Sequence, residues 1–136
     1  MPEHTVVIGF GVTGTSATRF LLRTRATPGD LTVVDHRTQA IEAATALGLS
    51  GHLGDATQYA TLARVVSEKT RFVIVTVSPD ETAVMTMMLV RDLCPDAIVM
   101  TAVHDDENTD HARRAGANQV VTTSHWAGRA LAIILD

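Results

Sequence analysis

The chain has 136 residues, 46% hydrophobic and 19% charged, with a formal net charge of -4 and a single cysteine, Cys94. That length fits one domain with a sizeable core, the mild acidity offers no attraction to nucleic acid, and one thiol excludes an internal disulfide or a cysteine-built zinc site, as suits a reducing, cytosolic setting. No apolar run approaches the roughly 18 residues of a membrane span, and Met1-Pro2-Glu3-His4 lacks the basic start of a secretory signal.

The first apolar run, near 4–9, ends in Gly9-Phe10-Gly11-Val12-Thr13-Gly14, and helical spacing follows over 14–25. A GxGxxG triplet gains meaning between a strand and a helix. Its first glycine makes the tight turn, its second lets backbone approach a pyrophosphate, and its third lets the helix pack close to the strand. N–H groups from Phe10 to Gly14, at the positive end of the helix dipole, are then expected to receive a phosphate. The second strand, 31–35, ends in Asp35, 21 positions after Gly14. Ribose hydroxyls of an adenine nucleotide lie at that place in such a unit; the plainer alternative is a cap for the next helix, 38–48. A carboxylate there disfavours a 2′-phosphate, so NAD, AMP, ADP or ATP is expected ahead of NADP, while the neighbouring His36 and Arg37 include a residue type that accommodates that phosphate.

A short third strand, 50–53, leads into Gly54-Asp55-Ala56 and a helix over 58–67. Asp55 either bonds an adenine edge or N-caps that helix. The fourth strand, 72–77, ends in Thr76-Val77-Ser78, with Ser78 a candidate cap for a helix over 80–94 opened by Pro79. A strand at 97–103, a helix at 107–115, a strand at 119–122 and a helix at 124–135 follow. Six βα units in this order imply an α/β fold: a Rossmann-like, doubly wound, parallel six-stranded sheet in three α/β/α layers. Ligands of such folds bind at the carboxyl ends of the strands.

Two helices exceed the single apolar stripe that packing on a sheet requires. Ala83 to Val90 is apolar on nearly every side, as is Leu131 to Leu135, and the almost wholly apolar Trp126–Leu135 run reads as a chain cut mid-structure. Their second faces are either deep in the monomer or covered by a partner.

No catalytic residue is assigned. The six units leave no room for a substrate region, Tyr59 is followed four residues on by Ala63 where a lysine would complete a Tyr-x-x-x-Lys pair, and the histidines (His4, His36, His52, His104, His111, His125) are scattered. No metal site is assigned either: His104-Asp105-Asp106-Glu107 with Asp110-His111 suits no tight zinc motif, and acidic residues at a helix start are what its dipole favours.

Val7–Gly14, Val33-Val34-Asp35, Gly54-Asp55-Ala56-Thr57, Phe72–Thr76, and Glu107-Asn108 followed by Ala115-Gly116-Ala117-Asn118-Gln119-Val120 together resemble the N-terminal lobe of RCK domains, regulators of potassium conductance, also called the Trk-type NAD-binding domain. The resemblance covers nearly the whole chain and divides it into a lobe over 1–123 and the start of a crossover or dimerisation helix over 124–136. It implies a cytoplasmic, non-enzymatic module at the inner face of a membrane. Such a module assembles as homodimers or octameric rings on a potassium channel or transporter, and ligand binding reshapes the ring to gate the pore. Gly9, Gly11, Gly14, Asp35 and Asp55 match the family's nucleotide positions, and Phe10, Val12, Thr13, His36, Arg37, Gly54, Ala56, Thr76 and Val77 complete the expected binding set. NAD(H) is expected first, ADP or AMP next. ATP ranks lower, because members that bind it commonly carry an arginine where Val12 stands. Ala102 and His104 occupy the stretch where calcium-sensing members place carboxylates. An NAD-dependent oxidoreductase fragment and an assembly lobe that binds no nucleotide are the alternatives.

Overall fold

A computed structural model describes residues 4–135, apart from the side chains of residues 124–126. The start at Met1-Pro2-Glu3 and the side chains of His125 and Trp126, weighed above, lie outside the described residues. Six strands, β1 (Thr5–Ile8), β2 (Leu31–Asp35), β3 (Ser50–Leu53), β4 (Phe72–Val75), β5 (Ile98–Val103) and β6 (Gln119–Thr122), alternate among the described residues with six helices. These are α1 (Val12–Thr24), α2 (Thr38–Ala46), α3 (Tyr59–Ala63), α4 (Asp80–Leu93), α5 (Thr109–Ala115) and α6 (Thr123–Leu135). All neighbouring strands are parallel, in the order β3-β2-β1-β4-β5-β6. This is the doubly wound sheet expected from the alternation of apolar runs.

β1 lies at the centre, between β2 and β4, and all four of its residues are buried. A strand sandwiched between helix layers has no solvent face, so it reads as an unbroken β-branched run. Side chains still alternate between the two faces. Val6 and Ile8 join Val34, Val73, Val75 and Val99 under Leu62, Met87 and Val90; Val7 faces the other way with Phe10, Leu31 and Val33 against Ala40 and Ala44 of α2. The second face is only half covered. Over β4 to β6, Ile98 and Val121 are each 40% exposed, and Phe20, Phe72, Ile74 and Met100 line an open apolar cleft of about 770 Å³.

Several local expectations are corrected. The helix expected over 58–67 is only the short α3, with Gln58 at its N-cap position and no side-chain cap. Beyond it Val65 and Val66 are buried through tight turns, consistent with the weak helix propensity of paired valines followed by serine. Asp55 caps no helix and closes a local turn by accepting bonds from the Thr57 amide (2.8 Å) and hydroxyl (2.7 Å). α1 begins at Val12, ahead of the expected 14, and the helix expected from 107 is a 3-10 turn, Asp106–Asn108, followed by α5. Pro79, not Ser78, holds the N-cap position of α4, with no side-chain cap.

Two long-range ties are invisible to local patterning. Asp80, opening α4, accepts bonds from the His104 amide (2.8 Å), the Asp105 amide (3.0 Å) and Asn108 Nδ2 (2.8 Å), fastening α4 to the corner after β5. Arg91, in the last turn of α4, donates through Nη1 to the carbonyls of Pro95 and Ala97 and through Nη2 to the Gly116 carbonyl and Asn118 Oδ1. The over-apolar helices present their second faces to the surface. Met85 and Met88 of α4 are 52% and 59% exposed while Ala83, Met87 and Val90 face the core, and α6 exposes Leu131, Ile133, Ile134 and Leu135.

Candidate functional site

The chain winds from β1 outward to β3, then returns across β1 to β4. This reversal opens a crevice at the carboxyl ends of the strands. A cleft of about 620 Å³ occupies it, and of the expected residues Gly9, Gly11, Asp35, His36, Arg37, Gly54, Asp55, Ala56, Thr76 and Val77 line it. Val34, Thr57, Ser78 and Thr82 line it too; Val34 and Thr57 stood in the motifs that carry the resemblance, Ser78 had its place at the end of the fourth strand, and Thr82 had no signal.

The three loop glycines differ in what demands them. Gly9 has φ +97°, and a Cβ there would lie 2.9 Å from the Thr76 backbone. A Cβ on Gly14 would stand 2.0 Å from the Gly9 carbonyl oxygen and 2.7 Å from Thr76 Oγ1. Both glycines are therefore required by the packing of β1, α1 and β4, and Thr76 locks that packing by donating its hydroxyl to the Gly9 carbonyl at 2.7 Å. Gly11 is different. It adopts ordinary extended backbone at the N-cap of α1, with φ -84° and ψ -151°, and its nearest obstacle to a Cβ is Arg37 Nη2 at 3.6 Å. The fold leaves room there that a methyl group would fill.

Asp35 is the centre of the polar network. Its side chain is 4% exposed, and it accepts bonds from the Phe10 amide (2.8 Å), the Arg37 amide (2.9 Å), Arg37 Nε (3.1 Å) and Arg37 Nη2 (3.2 Å). Burial pushes its carboxyl upward, but the Arg37 guanidinium and the two amides outweigh this and hold it below the usual carboxylate range. The cap expected of Asp35 takes another form, since Arg37 itself is the N-cap of α2. The Phe10 N–H, expected among the phosphate donors, is spent on Asp35. The Phe10 ring is buried beneath the loop, 3% exposed. The donors left for an anion are those of the first turn of α1, from Val12 onward, which have no partner within a helix.

Thr13, exposed, and Gly14, buried, are not among the residues that line the cleft. Val12, 90% exposed, borders an adjoining recess with Gly11, Thr15, Ser16, Arg19 and Arg37. His36 stands at the rim, with Nδ1 3.7 Å from Asp35 Oδ1. Asp55 also lies at the rim; bonds from the Thr57 hydroxyl and amide hold its carboxyl below the ordinary value. In the acidic stretch after β5, Asp106 accepts the Thr122 hydroxyl at 3.0 Å, and the described residues contain no group of three or more His, Cys, Asp or Glu side chains placed to hold a metal. Helix-start donors for an anion, a buried carboxylate, and a wall of hydroxyls and backbone are what a phosphorylated polyol needs.

No curated protein matches the sequence. Among solved structures, the TrkA-N domain of the inner membrane protein ybaL from Escherichia coli shares 22% identity at a TM-score of 0.87, over 100% of this chain and 98% of that one. GsuK bound to ADP shares 25% identity at a TM-score of 0.82, over 98% of this chain and 34% of that one; the GsuK channel bound to NAD shares 23% at 0.81, over 96% and 23%. The Kef CTD of Shewanella denitrificans in its AMP-bound form shares 15% identity at a TM-score of 0.78, over 98% and 82%. This chain therefore spans about a third or less of those GsuK chains. A family model of the TrkA-N domain matches residues 5–123, from the first residue of β1 to the first of α6, and the chain belongs to the TrkA-N domain family.

Proposed function

We propose that the chain is a non-catalytic sensing lobe that binds an adenine nucleotide in the crevice between β1 and β4. NAD(H) is the first candidate, ADP or AMP the next, and ATP the last. The observation that carries this reading is Gly11, the loop glycine whose replacement the fold itself would accept. A bare backbone there serves the close approach of a pyrophosphate. Neighbours of the same fold that carry NAD, ADP and AMP support the ligand class. The phosphates lie over Gly11 to Gly14 on the α1 dipole, the ribose at Asp35 and the base along Gly54 to Ala56, with Thr76 and Val77 as the opposite wall.

Binding regulates only if the ligand's affinity differs between two arrangements of the assembly. Exposed Met85 and Met88 on α4 and the apolar outer face of α6 support homodimeric or ring contacts with other copies. Residues 1–123 form the ligand lobe in this reading, and 124–136 lead onward as the crossover or dimerisation helix. The lobe works on the cytoplasmic side of a membrane-embedded potassium channel or uptake system, and no helix among the described residues is long and apolar enough to cross the membrane itself.

A second reading, an assembly lobe that binds no nucleotide, draws on the acceptor sites of Asp35, all filled from within the protein. Isothermal titration calorimetry against NAD⁺, NADH, AMP, ADP and ATP separates the two. Saturable binding of one of them, weakened at least about tenfold in Asp35→Asn by loss of a charged acceptor, is the expected result. No heat at millimolar ligand would leave the assembly reading standing alone.

A further inference from the structure

Arg37 joins two parts of the site that a nucleotide would occupy separately. One edge of its guanidinium forks onto Asp35, Nε to Oδ1 and Nη2 to Oδ2. The same Nη2 lies 3.6 Å from where a Gly11 Cβ would stand, at the border between the ribose cleft and the recess over the start of α1. The side chain is half-exposed, whereas the carboxylate beneath it is buried.

A carboxylate offers about four lone-pair sites, and Asp35 already receives four donors. A ribose diol therefore finds no acceptor until a donor departs. The Phe10 and Arg37 amides are held by the backbone. The guanidinium, on a flexible and half-exposed side chain, is the donor free to leave. Releasing it into water would forfeit a charge-assisted fork, so an incoming ligand must supply a new anion within its reach. A phosphate over the first turn of α1 is such an anion, and guanidinium binds phosphate in the same two-pronged geometry as carboxylate. Val12, on the loop side, contributes no cation there.

We propose that Arg37 makes adenosine recognition conditional on phosphate. Resting on Asp35, it blocks the ribose acceptor; drawn onto a phosphate, it exposes that acceptor and clamps the ligand from the opposite wall. The site thereby takes adenine nucleotides with a 5′-phosphate or pyrophosphate and rejects the bare nucleoside. This rests on the nucleotide-sensing reading above and adds to it the residue that sets ligand discrimination.

The test is calorimetric titration of adenosine, AMP and ADP into the wild-type protein, Arg37→Met and Arg37→Gln at one fixed ionic strength, with thermal unfolding of each to establish that it is folded. In the wild type, ADP is expected to bind far more tightly than adenosine. In the variants adenosine tightens, because Asp35 is unblocked, and ADP weakens, because the clamp is gone. The ADP-to-adenosine affinity ratio falls by at least about tenfold, the scale of one charge-assisted contact. Wild-type binding of ADP with an unchanged ratio in both folded variants, or equal weakening of both ligands, would overturn the proposal while leaving the nucleotide reading intact. No binding of any of the three by the wild type would overturn both.

Discussion

Gly11→Ala set beside Gly14→Ala separates a glycine kept for a ligand from one kept for packing. At position 14 the new methyl would lie 2.0 Å from a backbone oxygen. That atom is backbone and no flexible side-chain tip, so α1 must move away from β1, at a cost of about 1–3 kcal/mol or more for overpacking. At position 11 the methyl meets only Arg37 Nη2 at 3.6 Å, an ordinary contact. Alanine is a poorer N-cap than glycine by about 1 kcal/mol, while the stiffer unfolded chain returns about 0.4–1 kcal/mol. The two effects nearly cancel, and for a chain of 136 residues each kcal/mol moves Tm by about 3–4 °C. Gly11→Ala should therefore melt within about 4 °C of wild type, and Gly14→Ala several degrees lower. Binding should show the opposite contrast. The methyl stands where phosphate must approach, and losing one backbone contact to an anion, about 1.5–3 kcal/mol, weakens ADP or NAD⁺ binding by about 10- to 150-fold. Differential scanning fluorimetry and calorimetry read the two quantities separately. If Gly11→Ala loses as much stability as Gly14→Ala, or keeps wild-type affinity for a nucleotide that the wild type binds, the reasoning from free space to ligand is refuted.

Acid should destabilise the fold through two linked carboxylates. Burial raises Asp35 and Asp80, but the donors around each outweigh it and both sit below their ordinary value, so the unfolded chain is the better proton acceptor. Their contribution is complete well above the unfolded value of about 3.9 and disappears as pH falls through the depressed folded values; urea midpoints measured from pH 7 to 3 should drop, with a shallower drop in Asp80→Asn. Arg91→Ala removes donors to three carbonyls and to Asn118 and should cost about 1.5–3 kcal/mol, read by chemical denaturation; a loss under 0.5 kcal/mol would show the clamp to be incidental. Met85→Asp with Met88→Asp should leave the monomer's melting nearly unchanged, because both side chains are more than half exposed, but lower the oligomer mass measured by light scattering. An unchanged mass would remove the outer face of α4 from the assembly.

The central strands were legible because they are buried on both faces. Thr5 to Ile8 and Thr32 to Val34 had to be continuous β-branched runs, and the position of Asp35 followed from counting along one βα unit. What could not be read was how Asp35 is occupied. Its partner is only two residues away, yet the fork between them depends on the turn before α2 and on side-chain torsions that no periodicity records. The cap alternatives for Asp55 and Ser78 failed for a related reason: a short polar residue before a helix satisfies several turn geometries equally well, and only the true helix start decides among them. The ties from Asp80 and Arg91 join segments more than 20 residues apart, beyond any local signal. The half-covered sheet face was hidden as well, since Ile98 and Val121 are as β-branched and apolar as the residues of the covered strands.

The bond from Thr76 to the Gly9 carbonyl also has a meaning in time. The glycine loop is made before the residue that locks it, which is separated from it by 67 positions. At about 5–20 residues per second of synthesis, the loop waits about 3–13 seconds for its lock. Until then β1 has β2 as its sheet partner but lacks β4, and its other edge stays open. The cleft at the carboxyl ends of the strands is thus completed late, by the strand that closes the centre of the sheet, and a chain stalled before Phe72 would carry the whole glycine signature without the cleft beside it.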